Sequence, residues 1–191
     1  MDDQQKVCIL IDGGNTYSAF YKETIDLDGT VKQALLPKGA KFDYKKFCEY
    51  LAAGRTIVSI KYYIGIVRDI DHTEKSASMV SSQQKFLQKL EDMGLIIERG
   101  KIVYDHSIRE KGVDVKMAID MVIGAAENEY NSVILISSDT DLIPAIKFAQ
   151  SKGKTIEYVG FSNRSSVAFL KESDMQRVFS TPDLEQFIMK K

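Results

Sequence analysis

Short apolar runs that stop at an aspartate constrain this chain more than any other feature. Residues 7–11 (Val-Cys-Ile-Leu-Ile) lead straight into Asp12, and residues 133–136 (Val-Ile-Leu-Ile) are followed, two serines later, by Asp139. Runs this short, without polar alternation, mark strands covered on both faces, as in a parallel α/β sheet. In such a sheet the positions just past the strand tips gather along one edge, outside the carboxyl ends, where ligands bind. Carboxylates collected there repel one another unless a cation lies between them. Oxygen-only ligands select a hard ion, Mg²⁺ or Mn²⁺.

The rest of the chain alternates in the way such a sheet requires. After Asp12, Tyr17, Phe20 and Tyr21 recur at helical spacing, with Asn15 or Thr16 as a cap. Residues 26–41 read as an irregular connection, and Asp43 as the N-cap of a helix carrying Phe47, Tyr50 and Leu51 up to Gly54. Residues 56–67 are β-branched and aromatic, a second strand. Residues 69–78 have no period and read as a loop. A helix over 79–93 stops at Gly94. Residues 95–98 and 101–104 form two strands of a hairpin or one bent strand. Gly112 precedes an apolar helix over 113–126. A strand at 133–136, a helix over 140–151 and a strand at 155–159 follow. A short helix near 165–170, a strand at 177–179 and a last helix over about 182–190 complete the chain. The pattern implies a mainly parallel α/β fold and one domain over residues 1–191.

Bulk properties exclude several classes. At 191 residues the chain suits a single core. With 26 basic and 27 acidic residues the net charge is −1, so a nucleic-acid partner would need a local basic patch. Cys8 and Cys48 form no CxxC pair and read as buried, reduced thiols. The polar, acidic start lacks the features of a secretory signal, and no apolar run reaches membrane length. The expectation is a soluble, cytoplasmic protein without a membrane partner; a homo-oligomer is left open. His72 and His106, both expected in loops, are the only histidines, which disfavours zinc and a Ser-His-Asp triad.

Four aspartates carry the chemistry. Asp12 closes a buried strand, the two glycines after it allow a ligand to approach the backbone, and Asn15 is placed to support it. Asp114 heads a helical stripe shared with Ala118, Met121 and Ala125, at a helix N-terminus that favours negative charge. Asp139 and Asp141 bracket the first turn after the second buried strand, where one could act as a cap. Asp120 lies about 240° around the helix from Asp114, so it is expected to brace the site or bond a neighbouring loop.

Three stretches resemble the motifs of NYN domains of the LabA-like kind, within the PIN-like nuclease superfamily. They are Ile-Asp-Gly-Gly-Asn, Lys-Gly-Val-Asp-Val-Lys-Met-Ala-Ile-Asp-Met and Ile-Ser-Ser-Asp-Thr-Asp-Leu, and the likeness runs from about residue 7 to 179. Ser138 and Leu142 depart from the family's usual glycine and phenylalanine, and neither change removes a carboxylate. The resemblance implies a PIN-like, Rossmann-like three-layer α/β/α sandwich. It also implies that Asp12, Asp114, Asp139 and Asp141 form an acidic Mg²⁺ or Mn²⁺ site, with Asn15, Ser137 and Asp120 supporting it. The expected activity is metal-dependent hydrolysis of RNA, single-stranded for preference. Lys111, Lys116, Arg68 and Tyr17 are candidates for holding the nucleic acid; Arg109 is a further one. The competing expectation is a regulatory or binding module that keeps the acidic pocket and turns over little.

Overall fold

The computed structural model describes residues 5–25, 29–67, 73–105 and 107–190, with the side chains of 101–111 outside that set. Its first half comprises β1 (Lys6–Asp12), α1 (Gly13–Tyr21), β2 (Thr24–Ile25), β3 (Val31–Lys32), α2 (Tyr44–Ala52), β4 (Thr56–Ile66), α3 (Glu74–Asp92) and β5 (Ile96–Asp105). Its second half comprises β6 (Ser107–Lys111), α4 (Val113–Ala126), β7 (Ser132–Ile136), a 3₁₀ turn at Thr140–Leu142, α5 (Ile143–Ser151), β8 (Thr155–Phe161), α6 (Val167–Glu172), β9 (Met175–Phe179) and α7 (Thr181–Glu185).

The central sheet runs β6-β5-β4-β1-β7-β8-β9, parallel throughout except for the antiparallel edge strand β6. Alternation along the strands splits the core in two. Val7, Ile9, Ile11, Tyr62, Ile134, Ile136, Val159 and Phe161 face α1, α2, α3 and α7. Cys8, Leu10, Tyr63, Val133, Leu135, Ile156 and Tyr158 face α4, α5 and α6. Helices on both faces of a mainly parallel sheet make the three-layer α/β/α sandwich that the family resemblance implies. Chain order leaves β1 in one direction towards β4 and returns on its other side as β7. The switch point therefore lies at the carboxyl ends of β1 and β7.

Residues 96–105 are one strand, the second of the two readings offered for this stretch, and Asp105 pairs with Ser107 of the antiparallel β6. Other local expectations are corrected. The helix expected from 79 begins at Glu74, because Thr73 caps it by accepting from the Ser76 N–H at 3.1 Å. Its first turn carries no apolar residue larger than Ala77 to reveal a period. The last helix stops at Glu185 instead of reaching 190. Phe187 turns into the core instead, against Phe42 and Phe47, and Ile188 bridges to Phe42. Both cysteines are buried and free, and burial raises both thiols above their ordinary pKa. His72 and His106 lie outside the described residues.

Candidate acidic site at the switch point

Asp12 is the best-anchored side chain of the site. It is 5% exposed, the last residue of β1 and the N-cap of α1, its Oδ1 accepting from the Asn15 N–H at 2.9 Å. The cap is thus the aspartate itself, not Asn15 or Thr16. Its Oδ2 accepts from Asn15 Nδ2 at 2.5 Å and from Ser137 Oγ at 2.9 Å. Thr16 Oγ1 donates back to the Asp12 carbonyl at 2.7 Å. Asn15 and Ser137 thus hydrogen-bond the Asp12 carboxylate from either side of the switch point. Ser138 joins them, donating to Asn15 Oδ1. The serine standing where the family pattern favours glycine is tied into the frame.

Gly13 has a different purpose from the one its motif suggested. A Cβ there would lie 2.5 Å from Tyr62 Cε1 and 2.7 Å from the Tyr63 carbonyl. The glycine lets α1 press against β4, and Gly14 alone of the pair borders the cleft.

Asp139 follows β7 and caps the 3₁₀ turn, its Oδ1 accepting from the Asp141 N–H at 2.9 Å. Its own N–H donates to Ser137 Oγ at 3.1 Å, so Ser137 links Asp12 and Asp139 directly. Asp114 stands in the first turn of α4. The buried residues of that helix are Val113, Met117, Met121, Gly124 and Ala125, which keeps Met121 and Ala125 of the expected stripe but not Asp114 or Ala118. Asp114 and Ala118 sit at the flank of the buried face, half-buried, which turns the carboxylate to the cleft's rim.

Asp12, Asp114, Asp139, Tyr17, Lys22 and Arg164 line one open cleft of about 390 Å³ at the switch point. The Asp114 carboxyl titrates above the ordinary aspartate range. Desolvation is the main cause, followed by the charges of Asp139 and Asp12, with a smaller contribution from Asp141. Three carboxylates thus border one cavity. Asp141 is exposed in the 3₁₀ turn, adding its field without lining the cavity.

Among the described residues no group of three or more His, Cys, Asp or Glu side chains converges tightly enough to enclose a metal ion. The donor set is nonetheless all oxygen and anionic, in a cavity much larger than a bare ion. Mg²⁺ keeps several waters and is held by one or two carboxylates, and this arrangement fits that habit.

The other expected residues divide. Tyr17 is half exposed and lines the cleft. Asp120 does not reach it: its Oδ2 accepts from Tyr63 Oη at 2.8 Å and pairs with Lys61 at 3.3 Å and Lys116 at 3.8 Å. Any support it lends passes through Tyr63, the register partner of Asp12. Lys116 is engaged with Glu98 at 3.1 Å as well, and is not among the residues that line the cleft. Arg68 and the side chains of Lys111 and Arg109 lie outside the described residues. Two cations in the cleft, Lys22 and Arg164, were not anticipated. Arg164 follows the tip of β8 on the same carboxyl edge.

The mainly parallel α/β/α sandwich is that of a PIN-like, nuclease-type fold. The NYN domain family matches residues 6–180, and the chain belongs to that family, a branch of the PIN-like superfamily. A crystal structure of a Vibrio parahaemolyticus protein of unknown function superposes with a TM-score of 0.67 at 20% identity, covering 99% of each chain. That likeness concerns the fold. No curated protein sequence matches this chain. Among the described residues no helix is long and apolar enough to cross a membrane.

Proposed function

We propose that this NYN domain is a metal-dependent ribonuclease acting on single-stranded RNA with Mg²⁺ or Mn²⁺. The observation that carries the reading is the cleft of Asp12, Asp114 and Asp139, in which the other carboxylates help hold the Asp114 carboxyl above its ordinary range. Crowded like charges at a ligand edge favour a cation.

Asp12, Asp114 and Asp139 would hold the ion, with Asp141 adding charge from the next turn. When bound, such an ion supplies polarisation of a phosphate oxygen and a more acidic water. The chain's own residues orient and gather. Asn15 and Ser137 lock the Asp12 carboxylate, and Ser137 sets Asp139 relative to it. Lys22 and Arg164 offset the negative field that would otherwise repel a phosphodiester. Tyr17, with Lys22 5.5 Å from its ring centroid, presents a face for base stacking.

A regulatory module that binds without cleaving is the second reading. It is favoured by the absence of a tight three-ligand cluster among the described residues. Labelled single-stranded RNA incubated with the full chain and Mn²⁺ separates the two. Asp139→Asn should lower cleavage by about 100-fold or more, since loss of several kcal/mol of charge stabilisation is at issue. Its metal-free melt should stay near wild type, because asparagine also serves as a cap. Binding without chelator-sensitive cleavage would favour the regulatory module.

A further inference from the structure

A second cavity, of about 310 Å³, borders the acidic cleft and is lined by Lys32, Ser138, Asn163, Arg164, Ser165 and Ser166 among others. Its chemistry is the reverse of its neighbour's. No carboxylate is among its described lining residues, which offer hydroxyls, an amide and two cations. Its volume sits at the lower end of small-ligand pockets, roughly 300–1,000 Å³. Arg164 belongs to both cavities and stands at their boundary. Ser138 connects them as well, since its hydroxyl binds the Asn15 that orients Asp12.

The arginine is held in place from behind. Its N–H donates to the Phe161 carbonyl at 2.8 Å. The preceding Asn163 is buried, its Nδ2 donating to the Ala19 carbonyl at 2.8 Å and the Gln33 carbonyl at 3.0 Å. Those two bonds tie the loop to α1 and to the residue after β3. Asn163 Oδ1 is buried without a hydrogen-bond partner among the described residues. Among the described residues the Arg164 guanidinium has no ion-pair partner. A planar cation beside hydroxyls suits phosphate oxygens.

We infer that this cavity is a subsite for the nucleotide flanking the scissile position, with Arg164 binding its phosphate. The inference rests on the proposed ribonuclease function and adds the direction in which the strand leaves the carboxylates: over Ser138 and Arg164, towards the β2–β3 hairpin.

The test is equilibrium binding of fluorescein-labelled hexauridylate to the full chain in chelator, by anisotropy over a series of KCl concentrations. The dinucleotide UpU, which has a single internucleotide phosphate, serves as the short probe by competition. Arg164→Gln should weaken hexauridylate binding by about tenfold and reduce the magnitude of the log–log salt slope by about 0.7, one phosphate contact on a single strand. UpU binding should change far less, and Arg164→Lys should restore the slope. Unchanged affinity and slope in Arg164→Gln would overturn the subsite. Equal losses for UpU and hexauridylate would also overturn it, placing Arg164 at the scissile phosphate. Cleavage of hexauridylate with Mn²⁺ is scored separately. Wild-type protein that never cleaves but keeps the Arg164-dependent slope would retain the subsite and reject the nuclease. Cleavage with an unaltered slope would do the opposite.

Discussion

At the scale of single residues, the molecule separates charges that border the cleft from charges used for structure. Glu157 is 3% exposed and accepts from Arg55 and, at 3.1 Å, from Arg177. Both arginines also donate to the Leu51 carbonyl, at 3.2 and 2.8 Å. Removing one member of a buried ion cluster typically costs ~3–5 kcal/mol. Both arginines reach water, so Glu157→Gln should cost less, about 2 kcal/mol, or a melting temperature lower by roughly 4–8 °C. A melt within a degree of wild type would contradict that. Asp183 offers the pH counterpart. Ser180 donates to it from Oγ at 2.5 Å and from N–H at 2.8 Å, and these bonds lower its pKa. A depressed folded pKa contributes stability above the unfolded value, about 3.9, and loses it as pH falls through the folded one. Asp183→Asn should therefore melt lower than wild type at neutral pH, with the difference closing in strong acid. Asp12, Asp114 and Asp139, which line the cleft, were legible because each follows a buried strand or opens a helix. Lys22 and Arg164 were not, because an isolated cation in a polar stretch has no pattern until the fold sets it beside the carboxylates.

At the scale of elements, legibility followed apolar periodicity. The helix at Val113–Ala126 and the strands around Asp12 and Asp139 were readable because one or both faces are buried. The first turn of α3 was not, since Glu74, Lys75 and Ser78 are exposed and the cap on Thr73 is a local polar signal. The orientation of α4 was misjudged by about one residue. Its sequence is apolar nearly all round, and Val115, Ile119 and Ile123 are in fact exposed. Such a helix gives no contrast from which to choose the buried stripe. The α1–β4 contact illustrates the reverse case, where a motif glycine is a packing requirement. Gly13→Ala would place a methyl group within 2.7 Å of the Tyr63 carbonyl, backbone that cannot swing away. Overpacking of this kind costs about 1–3 kcal/mol. We expect a melting temperature several degrees lower, together with loss of RNA cleavage, because the shift falls on the residue after Asp12. Gly14→Ala, tested beside it, should leave the melt much nearer to wild type.

At the scale of the whole molecule, the sheet gives the two ends of its strands different work. Arg55, just before β4, and Glu157, near the start of β8, place the structural ion cluster towards the amino ends. Asp12 and Asp139 stand at the carboxyl ends on either side of the switch point, and β1 and β7 hold them adjacent through their shared register. Asp120 has an aspartate's chemistry without that position, so metal titration can test whether position or mere acidity matters. A ligand that binds only the folded state at 100 times its dissociation constant stabilises by about 2.7 kcal/mol, which is roughly 5–11 °C for a chain of this size. Mn²⁺ should raise the wild-type melting temperature by an amount of that order relative to chelator, and Asp139→Asn should lose most of the shift. Asp120→Asn should begin lower, because Lys61 loses the carboxylate at 3.3 Å and Lys116 keeps only Glu98, and yet keep the full Mn²⁺ increment. If the increment fell equally in both variants, Mn²⁺ would be responding to net acidity, and the switch-point carboxylates would have no special claim on it.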